Sequence, residues 1–249
     1  MAILRLTGIR REIGTFVILD SINAAIAHGD RIGMVGANGA GKTTLMRLAA
    51  GLEPPDAGEV TRKNDLRIGL LTQEANLDSV FIGAPTLRAA VRGGAADLER
   101  MERRIAELEA AGAESVQSSE YAHLHEAFDH RGGYTLDVRV DAALSGLGFD
   151  RRDWERPPTE MSGGQQTRAA LARLLVAEID LLMLDEPTNH LDVTAIEWLE
   201  QTLSTRPGAL LVTSHDRAFL DGVADRIWEL RDRRLTVFRG NYSGYAAQR

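Results

Sequence analysis

The chain has 249 residues, 44% of them apolar, enough to bury the core of one large domain with a subdomain. It has no cysteine, which excludes disulfides and thiolate metal sites, and a formal net charge of −7, which excludes a domain that binds nucleic acid by overall basicity. No run reaches the roughly eighteen apolar residues of a membrane span, and the start MAILRLTGIRRE lacks the apolar stretch of a secretory signal, so the chain reads as cytoplasmic.

Short β-rich runs come first, at Ile3 to Leu6, Ile22 to Ala27 and Arg31 to Val35. A glycine-rich loop follows. Thr43 to Ala50 then reads as a helix that turns Leu45, Met46, Leu48 and Ala49 toward a sheet, with Gly51 placed to end it. Glu53 to Gly58 is a turn, and strands at Val60 to Thr61 and Leu66 to Leu71 flank a polar turn from Arg62 to Asp65. From Glu74 the texture becomes helical. Leu98, Met101, Ile105 and Leu108 recur at steps of three and four, with Glu99, Arg103 and Glu107 spaced for i,i+4 pairing. A second helix carries Tyr121, Leu124 and Phe128. His123, His125 and His130 fall on different faces of it and read as surface residues rather than metal ligands. The α/β texture resumes with buried strands at Leu181 to Leu184 and Ala209 to Thr213, so the expected fold class is α/β with a mostly parallel sheet. One domain, 1–249, is expected to divide into a core of 1–73 and 161–249 and an inserted helical subdomain of 74–160.

Three motifs carry chemistry. Gly36-Ala37-Asn38-Gly39-Ala40-Gly41-Lys42-Thr43 matches the phosphate-loop pattern between a predicted strand and a predicted helix. Its small residues let backbone N–H groups curl around phosphates, the helix N-terminus adds a positive dipole end, and Lys42 adds a point charge. Thr43 is placed to ligate Mg²⁺, and Gly36 to Thr43 together with Thr44 are the expected nucleotide-binding residues. An ordinary glycine turn would not put Lys-Thr in this register. The second motif is the apolar strand Leu181 to Leu184 followed by Asp185 and Glu186, which delivers two carboxylates to the usual ligand edge of an open sheet. Asp185 suits Mg²⁺, and Glu186 suits the orientation of an attacking water. The third is Met161-Ser162-Gly163-Gly164-Gln165-Gln166 before the helical Thr167 to Val176. By itself it is a serine-glycine turn that caps a helix, and physically it is a second anion cradle without a lysine. Two cradles for one nucleotide suggest a shared site.

These motifs, with His215 after the last buried strand, stand in the order found in ATP-binding cassette ATPases, and the resemblance covers the whole chain. It implies a P-loop NTPase core with an N-terminal antiparallel β subdomain and an inserted helical subdomain. It further implies ATP hydrolysis with Mg²⁺ between two cassettes packed head to tail, where Ser162, Gly163, Gly164 and Gln165 serve the nucleotide of the partner. On the same resemblance Gln73 contacts Mg²⁺ and the attacking water, His215 reads the γ phosphate, and Asp192 lines the seam between cassettes. Members carry an aromatic residue near the N-terminus that stacks on adenine; Ile13 stands at that place here, with Phe16 close by, so these residues leave adenine and guanine both open.

Within the family, Glu186-Pro187-Thr188-Asn189-His190-Leu191-Asp192, the run from Ser214 to Asp221, and Gly240-Asn241-Tyr242-Ser243-Gly244-Tyr245 resemble the ABC-F branch. That branch is soluble, usually has two cassettes in one chain, and mostly acts on the ribosome, so a second cassette (a homodimer mate or a tandem half) and the ribosome or RNA are the expected partners. A half-length member and the N-terminal half of a tandem protein both remain open. The ATPase subunit of a membrane transporter is the alternative reading. A DNA-repair or chromosome-structural cassette is a third, and it calls for a long coiled-coil insertion that the sequence lacks.

Overall fold

The structure, a computed structural model, describes residues 1–72 and 78–249. In chain order it runs through β1 (Ala2–Ile13), β2 (Phe16–Ala27), β3 (Arg31–Val35), α1 (Lys42–Ala50), β4 (Ala57–Arg62) and β5 (Ile68–Leu71). Helices follow: α2 (Ser79–Ile82), α3 (Leu87–Arg92), α4 (Ala96–Ala110), α5 (Ala113–Val116), α6 (Ser119–His130), α7 (Leu136–Gly146), α8 (Arg151–Trp154) and α9 (Gly163–Val176). The chain then returns through β6 (Leu181–Asp185), α10 (Val193–Thr205), β7 (Ala209–Thr213), α11 (Arg217–Val223), β8 (Arg226–Arg231), β9 (Arg234–Arg239) and α12 (Tyr242–Gln248). It divides into two compact units, Met1–Asn76 with Ile179–Arg249, and Leu77–Glu178.

The first unit is α/β and contains two sheets among the described residues. One is a three-stranded antiparallel sheet in the order β2-β1-β4, and the other is six-stranded in the order β5-β6-β7-β3-β8-β9, parallel except for β9. The strands of the hairpin β1–β2 are much longer than the runs at Ile3 to Leu6 and Ile22 to Ala27 foretell. Register shifts between Leu6 and Ile9, and again beyond Ile9, break the period-two pattern by which a strand is read. The Gly8 N–H at the first shift donates to Asn23 Oδ1 at 2.9 Å. β6 and β7 are buried along their whole length, as continuous apolar strands of a parallel sheet covered on both faces should be.

α1 owes its stability to packing, because a nine-residue helix is marginal alone. Its Leu45, Met46, Leu48 and Ala49 join Leu4, Leu6 and Ile9 of the antiparallel sheet and Met183, Leu211 and Trp228 of the parallel sheet in one apolar cluster. Each large aliphatic side chain buried this way contributes about 1.5–3 kcal/mol. The C-terminal carbonyls of α1 are closed by Arg62 of β4, whose Nε donates to Ala49 O at 2.9 Å and Nη2 to Leu48 O at 2.8 Å.

The second unit is helical. α9 packs on α3 and α7, and α4 pairs with α6. Leu98, Ile105 and Leu108 of α4 are buried as their spacing predicts, and Phe128 of α6 with them, whereas His123, His125 and His130 are exposed. The sequence-based boundary at 160/161 separates α9 from this unit; in the structure the unit continues through Glu178, because α9 buries Ala169, Leu171, Ala172 and Val176 and packs on α3 and α7. Arg92 of α3 ties it together further, pairing with Glu99 and Glu102 of α4 and Asp137 of α7. No helix among the described residues is long and apolar enough to cross a membrane.

The cap on α1 gives a direct test. Arg62→Leu keeps the stem and removes both hydrogen bonds to the helix end, so urea unfolding should show a loss of about 1–3 kcal/mol; an unchanged midpoint would mean the cap contributes nothing.

Candidate nucleotide site

The phosphate loop follows β3, the two carboxylates follow β6, and His215 follows β7, so three neighbouring parallel strands release the candidate residues at their C-terminal ends. The loop is shaped by close approach. A Cβ on Gly36 would stand 2.5 Å from Leu230 O of β8, and Gly41, at φ 101°, enters α1 through the left-handed region with Ile18 Cγ2 only 2.7 Å from where a Cβ would be. No side-chain cap satisfies the first N–H groups of α1, so they remain turned to the loop as donors for an anion. Lys42 lies over the loop and donates to Gly36 O at 2.9 Å and Ala37 O at 3.2 Å. Neutral carbonyls are weak partners for an ammonium, and phosphate oxygens would replace them with charge-assisted bonds.

Thr43, the second residue of α1, hydrogen-bonds through Oγ1 to Asp185 Oδ2. Asp185 is 5% exposed, and its other oxygen, Oδ1, accepts from Thr213 Oγ1 at 2.6 Å. Glu186, next in the chain, has φ 52°, a left-handed conformation that costs a non-glycine residue about 1–2 kcal/mol. Its N–H is shared between Thr213 Oγ1 at 2.9 Å and Thr213 O at 3.2 Å, which offsets that cost. The Glu186 carboxylate accepts from the His215 N–H at 3.1 Å, and the His215 ring Nε2 lies 3.4 Å from it. Ser214 Oγ bonds Thr188 Oγ1 at 3.0 Å, so the last residue of β7 and the two after it grip the segment after β6. A cavity of about 470 Å³ opens over this floor, lined by Asn38, Gly39, Lys42, Thr43, Thr44, Asp185, Glu186, Asn189 and His215, with Ile13 and Ile18 on its wall.

The expected residues Asn38, Gly39, Gly41, Lys42, Thr43, Thr44, Asp185, Glu186 and His215 are therefore gathered at one cavity. Gly36, Ala37 and Ala40 line an adjoining cavity of about 690 Å³ that shares Lys42, Glu186 and His215. Phe16 pairs with Ile13 across the hairpin tip and is 74% exposed, whereas Ile13 is 57% exposed and borders the cavity. Asp192 caps α10, accepting from Ala195 N at 2.8 Å. Gln73 lies outside the described residues. Thr213 is the residue that sequence reading missed. The only signal was a polar residue at the end of an apolar strand, in parallel register with Asp185.

In the helical unit, Ser162 caps α9 in a capping box: its Oγ accepts from Gln165 N at 3.3 Å, and Gln165 Oε1 accepts from Ser162 N at 2.9 Å. The hydroxyl proton of Ser162 and the N–H groups of Gly163 and Gly164 remain for an anion, whereas the Gln165 side chain is turned back on the cap.

A hard divalent cation fits the first of these sites. Thr43 Oγ1 and the Asp185 carboxylate are adjacent oxygen donors, the set that suits Mg²⁺ alongside phosphate oxygens.

The family profile described as "ABC transporter" matches residues 19–189. Energy-dependent translational throttle protein EttA of Mycobacterium tuberculosis is 40% identical over 95% of the chain, and tylosin resistance ATP-binding protein TlrC of Streptomyces fradiae is 40% identical over 98%. The chain spans 42% and 45% of their lengths, less than half of each. Among solved structures, the ATP-binding cassette MJ0796 in a dimeric post-hydrolysis state with ADP and Pi superposes with a TM-score of 0.65, at 23% identity over 95% of this chain and 98% of that one. The ATP-binding subunit of an ABC transporter gives 0.66 at 18% identity, over 95% and 90%. At these identities the two structures show a shared fold.

Lys42→Ala removes the loop's one side-chain cation, so calorimetry should find ATP affinity reduced at least ~10-fold, the scale of a lost charge-assisted bond; equal affinity in both proteins would refute the site.

Proposed function

The chain belongs to the ATP-binding cassette ATPase family, and on that premise we propose that it binds ATP with Mg²⁺ and hydrolyses it between two such cassettes, as a soluble, cytoplasmic protein of the ABC-F type that acts on the ribosome. The observation that carries the ATPase reading is the Thr43–Asp185 bond. It joins the phosphate loop to the strand end that bears Glu186, so a bound triphosphate and a candidate base share one cavity.

Each residue then has a task. The amides of the loop and Lys42 bind the phosphates. Thr43 and Asp185 are the oxygen donors that would hold Mg²⁺, which when bound neutralises charge on the β and γ phosphates. Glu186 orients the attacking water and draws on its proton. His215 fixes the Glu186 carboxylate through its backbone N–H, and its exposed ring, with Nε2 3.4 Å from that carboxylate, is placed to turn to the γ phosphate. With one cradle in each unit, Ser162, Gly163 and Gly164 are available to the nucleotide of a second cassette. Gln73 is proposed to assist Mg²⁺ and water on family resemblance alone. Ile13 and Ile18 offer an aliphatic wall to a purine, which gives dispersion contact without ring stacking.

The ribosomal part rests on the Asn189-His190 run, on the segment from Gly240 to Tyr245, and on a relative at 40% identity whose name places it in translation. The transporter reading draws on the description of the family profile, "ABC transporter", and on structural neighbours at 18–23% identity, which share only the fold.

Glu186→Gln preserves size and hydrogen bonding and removes the carboxylate. It should bind ATP with near wild-type affinity, lose hydrolysis by a factor of about 10²–10⁴, accumulate as a closed pair of cassettes, and sediment with ribosomes under ATP but not ADP. Retained hydrolysis would refute the role of Glu186; a tandem-length variant that fails to sediment would refute the ribosomal role.

A further inference from the structure

The strand-end hydroxyl of Thr213 occupies a position that neither the phosphate-loop pattern nor the carboxylate pair accounts for. Thr213 closes β7 and is fully buried. Its single hydroxyl makes two bonds of opposite sense: it donates to Asp185 Oδ1 at 2.6 Å and accepts from the Glu186 N–H at 2.9 Å. Valine has the same branched shape and suits an apolar strand such as Ala209 to Val212, so burial alone does not call for a hydroxyl here.

We propose that Thr213 is a positioning residue of the ATPase site, setting the Asp185 carboxylate toward the Mg²⁺ edge and holding Glu186 in its left-handed turn. A carboxylate has two oxygens. With Oδ1 taken by Thr213, Oδ2 is the one presented to Thr43, so the donor edge of the site faces the phosphate loop in a single orientation. The same hydroxyl accepts from the Glu186 N–H, which also donates to the Thr213 main-chain carbonyl at 3.2 Å, so Thr213 holds Glu186 at φ 52° through its side chain and its backbone together. One side chain thus couples the metal-holding residue to the water-orienting residue, and it reaches them from the neighbouring strand, where Asp185 and Thr213 are parallel register partners.

The inference rests on the reading of Asp185 and Glu186 as Mg²⁺-holding and water-orienting residues. The test compares wild type, Thr213→Val and Thr213→Ser in two assays, the Mg²⁺ dependence of fluorescent ATP-analogue binding and steady-state ATP hydrolysis. Thr213→Val should raise the Mg²⁺ concentration for half-maximal binding by ~10-fold or more and lower kcat by ~10–100-fold, the range found when an outer partner of a metal ligand is lost, with analogue affinity in EDTA unchanged. Thr213→Ser, which keeps the hydroxyl, should stay within ~3-fold of wild type in both assays. Should the valine variant not fold, Thr213→Ala carries the same comparison. A valine or alanine variant with wild-type Mg²⁺ dependence overturns the proposal, and so does a serine variant as impaired as valine, since that would assign the effect to the methyl group. If wild type binds the analogue in a Mg²⁺-dependent way and hydrolyses nothing, the ATPase reading fails while the binding assay still decides the role of Thr213.

Discussion

A chain of hydrogen bonds from Thr43 through Asp185 to Thr213 ties the start of α1 to the ends of β6 and β7. Everything proposed for this protein depends on that tie, because the phosphate loop, the carboxylate pair and His215 come from three segments far apart in sequence. Parallel pairing of β6 with β7 and of β7 with β3 brings those ends to one edge. The pairing alone aligns backbones, and the hydroxyl and carboxylate bonds then lock side chains whose placement must hold to a fraction of an ångström for water attack.

The cost of this arrangement is visible at the same place. Asp185 is buried beside its hydroxyl partners and Glu186 adopts an unfavourable backbone. The bonds from Thr213, Ser214 and His215 to the segment after β6 offset these terms. Beneath them lies the apolar cluster that buries α1 between its neighbours, and a cluster of that size supplies far more free energy than the local strain removes. The site is strained where chemistry is expected and supported by an ordinary core.

The phosphate loop was legible in sequence because all of its chemistry lies within eight consecutive residues and because Lys-Thr cannot fall in register by composition alone. Asp185 and Glu186 were legible because an apolar run ends in two charges. Thr213 was not, since its meaning lies in Asp185, separated in sequence and brought close only by register. The length of β1 and β2 was hidden by the register shifts near Gly8, which disrupt alternation without ending the strand. The grouping of α9 with the helical unit was hidden too, because helical periodicity tells which face is apolar and not which neighbours cover it. Resemblance set Ile13 at the place of the family's aromatic residue, and in the structure Ile13 lines the cavity over the phosphate loop with Ile18 beside it.

The central claim is that one chain holds a nucleotide and two chains, or two cassettes, are needed to cleave it. ATP turnover per chain, measured against chain concentration together with the mass of the species in solution, tests it most directly. The account predicts turnover per chain that rises with concentration as a two-cassette species forms under ATP. Turnover per chain that is constant down to concentrations at which only the monomer is present would contradict it.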